Sequence, residues 1–422
     1  MAIAIEARRA TISAVMQGSR VMEISIQYGK KSTTFVVRRE SLIPIQRAKI
    51  AEPLTDVTEA VRSALEQPIG FPPLRQALTP DDRVAVVVDE QIPQLVEVLA
   101  TLLEYLVGAK IEPECITLVR APSTSQQQWI DEMPKRFKGV RVKVHNPANR
   151  HDLAYLATTK RGKRIYLSRD IVDADQAVVL TRARYDSQAE FIGGEENIFP
   201  ALSDQKTRND FAQRKFSEHA EDLSGNARSE ASEVAWLLGV PFFLQVIEGS
   251  GDDIAHIVGG PAEALAHVRR LLDESWRLQI DRHADTVVAS LAGDPVQHGF
   301  SSLAEALANC IRIVQRGGRI VLLTESFPEL DSGADLIRQA DSPEDALAAL
   351  RRQQPGDFAA AFQWAQAVDH ASVYLLSRLD ADVAEDLFAT PLDDVHQVQK
   401  LVDQSSGCVF VPDAHKSLAM VV

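Results

Sequence analysis

Asp82-Arg83-Val84-Ala85-Val86-Val87-Val88-Asp89 is the stretch on which the fold turns. Val84–Val88 is apolar throughout, so its side chains cannot divide between core and water. A run of this kind suits a strand buried on both faces, as in a parallel sheet covered by helices. Downstream, Pro93–Val107 places Leu95, Val98, Leu99, Leu102, Leu103 and Leu106 on one helical face, with Gly108 at its end. Strand-like runs recur at Ile116–Val119, Val140–Val144, Arg164–Leu167 and Gln176–Leu180, with a helical stretch at Gln126–Phe137. Strands alternating with helices imply a parallel sheet, whose functional loops lie at the carboxyl ends of its strands.

Upstream, residues 1–20 are weakly patterned. Glu23–Tyr28 alternates through Ile24, Ile26 and Tyr28, turns at Gly29–Lys31 and resumes at Thr33–Val37, which predicts a β-hairpin. Asp56–Leu65 has a helical period that Pro68, Gly70, Pro72 and Pro73 end. Further along, residues 182–225 are polar and irregular, the composition of a functional loop or a surface excursion. Ser232–Leu238 reads as a short helix, and Phe242–Ile247 with Ile254–Val258 as a second hairpin. Pro261–Ile280 reads as a long amphipathic helix that joins two domains and could act as a hinge. A second α/β unit follows, with strands at Thr286–Leu291, Arg319–Leu323, Val373–Leu376 and, last, Cys408–Val411. Its helices are expected at Leu303–Val314, Phe358–Val368 and Asp393–Ser405.

Composition bounds the function. The chain has 422 residues, 45 Lys and Arg against 59 Asp and Glu, and a formal net charge of −14. That charge disfavours nucleic-acid backbones and anionic lipid, so neither nucleic acid nor membrane is an expected partner. No apolar run approaches bilayer length. The N-terminus lacks a secretory pattern, and Cys115, Cys310 and Cys408 have neither disulfide nor zinc-site spacing. A cytoplasmic protein with cysteines buried as small apolar residues is the expectation.

Few motifs carry chemistry on their own. The first strand is followed by Val-Asp-Glu-Gln-Ile-Pro (Val88–Pro93), without a dinucleotide fingerprint. Asp89 sits at the carboxyl edge of the sheet and reads equally as a site residue or as a helix N-cap. His145 closes the third strand and reads as a ligand-facing residue or as a loop histidine bonded to backbone. His298, after Gly293-Asp294-Pro295, faces the corresponding edge of the second sheet. Thr324-Glu325 and Val411-Pro412-Asp413 read as structural strand ends.

In order along the chain, several segments resemble the nickel-dependent lactate racemase (LarA-like) family. They are Ile24–Gly29, Leu65–Gly70, Asp82–Asp89, Val144-His145, Val172–Asp175, Phe191-Ile-Gly-Gly, Gly239-Val-Pro-Phe-Phe-Leu, Ala266-His267, Gly293-Asp-Pro and Val314-Gln-Arg-Gly-Gly-Arg-Ile-Val-Leu. The resemblance implies two α/β domains with largely parallel sheets flanking a cleft. The parts would be an N-terminal extension over 1–21, an N-terminal domain over 22–270 and a C-terminal domain over 271–422. It also implies racemisation of a 2-hydroxy acid by hydride transfer to and from a nickel-pincer nucleotide tethered to a lysine.

The family's reactive positions do not carry over. Its Asp-His-Thr-Arg-Pro stands here as Asp89-Glu90-Gln91-Ile92-Pro93, and its Gly-Thr-His-Arg as Pro122-Ser123-Thr124-Ser125. Its Glu-Pro-His-Phe-Phe matches Tyr185–Ala189, which puts Asp186 at a catalytic histidine. Gly193-Gly194-Glu195-Glu196 puts Glu196 at the tethering lysine. The nickel-ligating histidine falls near Ala212, and the nearest histidine is His219. A Tyr-Gln pair and a lysine of the second domain fall at Ser301, Ser302 and Glu305.

General acid–base groups each supply about 10²–10⁴-fold, and hydrogen bonds to charged groups about 1.5–3 kcal/mol. Loss of these groups together argues against the family's standard reaction and against its cofactor. The first expectation is therefore a divergent, non-racemase member that binds a small ligand or a cation in an acidic interdomain cleft. The alternatives are an isomerase on 2-hydroxy or sugar acids with replaced residues, and a metal-dependent enzyme. Asp89, Asp186, Glu196 and Glu305 are the candidate catalytic positions. Gln91, Ser123, Thr124, His145, Tyr185, Gly193, Gly194, His298, Ser301 and Ser302 are the candidate ligand contacts. Asp89, Glu90, Asp186 and Glu196 form the candidate site for a divalent cation, since carboxylate oxygens suit hard cations.

Overall fold

The computed structural model describes residues 12–13, 20–46, 52–122, 128–185, 191–215, 220–239 and 241–422. The expected hairpin forms as β1 (Val21–Tyr28) and β2 (Lys31–Arg38), paired antiparallel from Val21–Arg38 to Tyr28–Lys31. The first large sheet contains β3 (Val84–Val88), β4 (Ile116–Arg120), β5 (Arg141–Val144), β6 (Gln176–Arg182), β7 (Phe242–Glu248) and β8 (Ile254–Gly260). Its order is β8-β7-β6-β3-β4-β5, and all neighbours are parallel except β7 and β8. β3 is buried at every position. Its Val84, Val86 and Val88 pack with helices α1 (Val57–Glu66) and α2 (Leu95–Gly108) on one face. Ala85 and Val87 meet Ile198, Phe199, Leu202, Ala231 and Val234 on the other. Two-sided burial is what the unbroken apolar run predicts.

Between the sheets, helix α3 (Leu265–Trp276) leads into a short strand, Arg277–Ile280, that runs parallel to Leu418–Val421. The second large sheet contains β9 (Ala284–Ser290), β10 (Val314–Leu323), β11 (Ser372–Leu376), β12 (Ala389–Pro391) and β13 (Cys408–Val411). Its order is β12-β11-β10-β9-β13, parallel throughout. Helices α4 (Phe300–Cys310) and α5 (Phe358–His370) cover one face, where Leu303, Leu307 and Trp364 pack against Val287, Ile320 and Leu322. The other face is covered by the β1–β2 hairpin, whose Ile24, Ile26, Tyr28, Phe35 and Val37 meet Val288, Val321, Leu323 and Phe410.

The hairpin thus packs on the second sheet, not within the first domain where sequence order puts it. Gly29 joins the two by donating to the Leu291 carbonyl and accepting from Gly293 N, at 2.7 and 3.0 Å. The physical reason is one-sided amphipathicity. An alternating strand needs a bare apolar face, and both faces of the first sheet are already covered.

Other expectations change for related reasons. Arg164–Ser168 pairs antiparallel with Leu153–Thr158 in a separate hairpin instead of joining the parallel sheet. Ile165 and Leu167 point inward while Arg164 and Tyr166 are exposed, a one-sided pattern unlike that of β3. The expected Pro261–Ile280 helix is shorter, because Leu278 and Ile280 follow a strand period beyond Trp276. Residues 182–225 are not one long loop, since helices Gln205–Lys215 and Ala220–Leu237 occupy part of the span. The last strand is Leu418–Val421, beyond Cys408–Val411. Among the described residues no helix is long and apolar enough to cross a membrane.

Candidate functional site

Charge collects at the carboxyl edge of the first sheet. Strands β7, β6, β3 and β4 are successive neighbours, and at or just past their ends stand Glu248, Arg182, Asp89 with Glu90, and Arg120. The signs alternate from strand to strand, so each ion lies beside opposite ones. Arg182 Nε donates to Asp89 Oδ2 at 3.0 Å, Nη2 to Gln91 Oε1 at 2.5 Å, and Nη1 lies 3.5 Å from Glu248 Oε2. Arg120 Nη1 donates to Glu90 Oε2 at 2.6 Å, and Trp129 Nε1 to Glu90 Oε1 at 2.8 Å. The second domain extends the row. Lys416 Nζ lies 3.4 Å from Glu248 Oε1 and donates to the carbonyls of Gly249 and Gly251 at 3.0 and 2.5 Å.

Burial alone would raise the pKa of Asp89. The charges of Arg182 and Arg184, with hydrogen bonds from Arg182 and the Gln91 amide, reverse this and hold the carboxyl below its ordinary range. Burial alone would lower Arg182, but Asp89, Glu248 and Glu305 hold its pKa above the ordinary value. Both groups are therefore charged at neutral pH, and their charges are spent on each other. The α2 helix starts at Leu95 after Gln94, so Asp89 is not its N-cap; it accepts instead from Gln91 N and from Arg182.

A pocket lies over this edge between the two domains. The first domain contributes Gln91, Arg182, Ala183, Arg184 and Glu248, with Leu272 and Trp276 of α3 as an apolar wall. The second contributes Ser302 and Glu305 from α4 and His415 with Lys416 from the turn after β13. Ser302 and Glu305, three residues apart, share one helix face. Trp276 is oriented by its Nε1 donating to the Glu248 carbonyl at 2.8 Å. Arg184 Nη1 stands 3.5 Å from Glu305 Oε1 across the domain boundary, with 33% and 32% of the side chains exposed.

Two imidazoles lie beside the lysine. His415 is T-shaped against His298, ring centres 5.2 Å apart, and the Nδ1 of each is buried with no hydrogen-bond partner among the described residues. Burial first, then Lys416, His298 and Arg182, holds His415 well below the ordinary imidazole range. Burial and Lys416 lower His298 as well, against an opposing pull from Asp413, Asp252 and Glu248. A neutral imidazole carries one donor and one acceptor nitrogen.

The expected site residues separate into groups. Gln91, Ser302 and Glu305 line the pocket, and Asp89 touches it through Arg182. Glu90 is bound by Arg120 away from the lining. Ser301 is exposed, and His298 lies behind His415. His145 is buried and its Nε2 donates to the Ser203 carbonyl at 2.8 Å, a backbone-bonded role. Tyr185 donates to Asp273, and burial followed by that bond raises its pKa.

Gly193 and Gly194 do not line the pocket. A Cβ on Gly194, whose φ is +110°, would stand 2.9 Å from Phe243 and Thr181, so glycine there answers to close packing. Glu196 lies in the short helix Glu195–Ile198, also outside the pocket lining. Ser123, Thr124, Asp186 and His219 lie outside the described residues.

The described lining corrects the expectation of an acidic cleft. Arg182, Arg184 and Lys416 stand there with Glu248 and Glu305. The proposed cation site is not assembled by its described members either. Asp89 and Glu90 are paired with arginines, and among the described residues no three His, Cys, Asp or Glu side chains are grouped to hold a metal. Sequence reasoning missed Arg182, Arg184, Glu248, His415 and Lys416. The carboxyl-edge rule could have found all five, which end or follow strands.

Comparison with known proteins agrees with this architecture. Residues 28–222 match the family described as the lactate racemase N-terminal domain. The fold of the chain is lactate racemase-like. Its fold matches the lactate racemase apoprotein from Thermoanaerobacterium thermosaccharolyticum with a TM-score of 0.77 at 18% identity, over 94% of this chain and 99% of that one. A crystal structure of a protein from Thermotoga maritima matches with a TM-score of 0.64 at 14% identity, over 89% and 100% of the two chains. No curated protein sequence matches this chain. The lactate racemase-like fold accounts for the two largely parallel sheets.

Proposed function

We propose that this lactate racemase-like protein binds a small polar molecule in the interdomain pocket and does not work through a lysine-tethered nickel-pincer nucleotide. The observation that carries the reading is the composition of the pocket. Ionic and hydrogen-bonding groups from both domains converge there beside an apolar wall, which is how small-ligand sites are built. The family's cofactor does not fit the residues present. A tether formed on a lysine amine has no counterpart in the carboxylate of Glu196, and the methyl of Ala212 has no lone pair for nickel. No step is therefore routed through that cofactor. The net charge of −14 likewise favours a small molecule over nucleic acid or anionic lipid as partner.

Mass spectrometry of the purified chain under denaturing conditions tests this reading. The expected mass is that of the unmodified 46.4 kDa polypeptide. A covalent adduct of nucleotide mass, accompanied by nickel in elemental analysis, would overturn it.

A second reading, an isomerase with replaced residues, is favoured by His415. Its neutral ring beside the pocket supplies a proton acceptor that the family positions at Ser123–Ser125 and Asp186 no longer offer. Turnover of a 2-hydroxy or sugar acid that disappears in His415→Gln would establish it. The metal-dependent reading finds less support, because Arg182 and Arg120 already neutralise Asp89 and Glu90.

A further inference from the structure

Resting on the reading of the pocket as a small-ligand site, we propose that its ligand is a zwitterion, an α-amino acid, held through Arg184 and Glu305. The argument begins with which charges are free to respond. Arg182 is sealed among Asp89, Gln91 and Glu248. Lys416 is sealed by Glu248 and two backbone carbonyls. Among the described lining residues, that leaves Arg184 and Glu305, which face each other at 3.5 Å across the domain boundary, each about one-third exposed. The separation exceeds a good charge-assisted hydrogen bond, which is about 2.7–2.9 Å, so a ligand that inserts between them gives up little.

The ligand must then satisfy both groups. A carboxylate alone would pair with Arg184 and leave Glu305 beside a second negative charge. An amine alone would pair with Glu305 and leave Arg184 uncompensated. An α-amino acid supplies both signs on adjacent atoms, its carboxylate to the guanidinium and its ammonium to the carboxylate. Leu272 and Trp276 offer an apolar wall for its side chain.

Glu305 also stands where the family resemblance puts a lysine. A negative charge there turns a group that would attract a hydroxy acid's carboxylate into one that attracts an ammonium. The sequence change and the geometry point the same way.

Calorimetric titration of the full chain with the common α-amino acids, their 2-hydroxy-acid counterparts and the matching simple amines tests the proposal. At least one amino acid should bind about tenfold or more tightly than its hydroxy acid and its amine, the value of one charge-assisted hydrogen bond. Glu305→Gln should abolish that preference, and Glu305→Lys should invert it toward the hydroxy acid. Circular dichroism of each variant would check that the fold is retained, and Arg184→Gln gives a second variant in the other domain.

Hydroxy acids binding as tightly as amino acids would overturn the zwitterion while leaving a small-ligand pocket in place. Amines binding as tightly would do the same. Full amino-acid preference in Glu305→Gln would also overturn it. Failure of every compound to bind would overturn this inference.

Discussion

Two arginines two residues apart, Arg182 and Arg184, meet the same pocket and behave in opposite ways. Arg182 is the last residue of β6, a strand with partners on both sides, and its neighbours' ends deliver Asp89 and Glu248 to it. Only 12% of its side chain is exposed. Arg184 lies in the two-residue strand Arg184–Tyr185 and, among the described residues, pairs with Glu305 from the other domain. The difference teaches where charge is structural and where it is available. Ions at adjacent strand ends are brought together by sheet register, whereas an ion pair across a domain boundary can open without disturbing either sheet.

The comparison would break first at Arg182. Arg182→Met leaves Asp89 and Glu248 buried with their main counter-charge gone, and denaturant unfolding should register a loss of about 3–5 kcal/mol. A loss below about 1 kcal/mol would mean that the row of ions is no more than a surface network. The neighbouring pair sharpens the point. Arg120→Met alone should cost a similar amount, yet Arg120→Met with Glu90→Leu should recover most of it, because an apolar pair can replace a buried ion pair of similar volume. A double variant as unstable as the single one would show that Arg120 acts through packing and not through charge.

The next effect is on pH. His145, His298 and His415 all have pKa values lowered mainly by burial, so the folded state resists protonation that the unfolded chain accepts. Stability from these groups is fully present above the unfolded histidine pKa, about 6.5. It is lost as pH falls below that value, by up to about 1.4 kcal/mol per pH unit for each group until its folded pKa is reached. Melting temperature should therefore drop between about pH 6.5 and 5, and His415→Gln should flatten the drop. An unchanged slope in that variant would remove His415 from the set.

Smaller still is the change expected at the open pair. Glu305→Gln should alter unfolding free energy by less than about 1 kcal/mol, as for other partly exposed ion pairs. A larger loss would make Arg184–Glu305 a structural bridge like Arg182–Asp89. Ser301→Ala, on the exposed side of α4, should stay within about 0.5 kcal/mol by the same measurement.

Much of the fold was legible because long-range order follows local pattern here. Val84–Val88 announced a two-sided strand, and the α2 stripe from Leu95 to Leu106 announced the helix that covers it. The β1–β2 hairpin was legible as a hairpin, but its place was not, since Ile24 and Ile26 specify an apolar partner without saying which. The site was less legible. Gln91, Ser302 and Glu305 were reached through the family resemblance, whereas no motif singled out Arg182 or Lys416.

By itself the sequence determined the class of fold, the strands buried on two faces and the replacement of the family's reactive residues, because periodicity and residue chemistry are local properties of the chain. Only the tertiary structure decided which charges meet. Glu248, Arg182 and Asp89 lie on strands far apart in sequence that become neighbours through sheet order. Lys416 and Glu305 arrive from the second domain. An ion's availability depends on its nearest counter-charges and its burial, and both are fixed by that assembly.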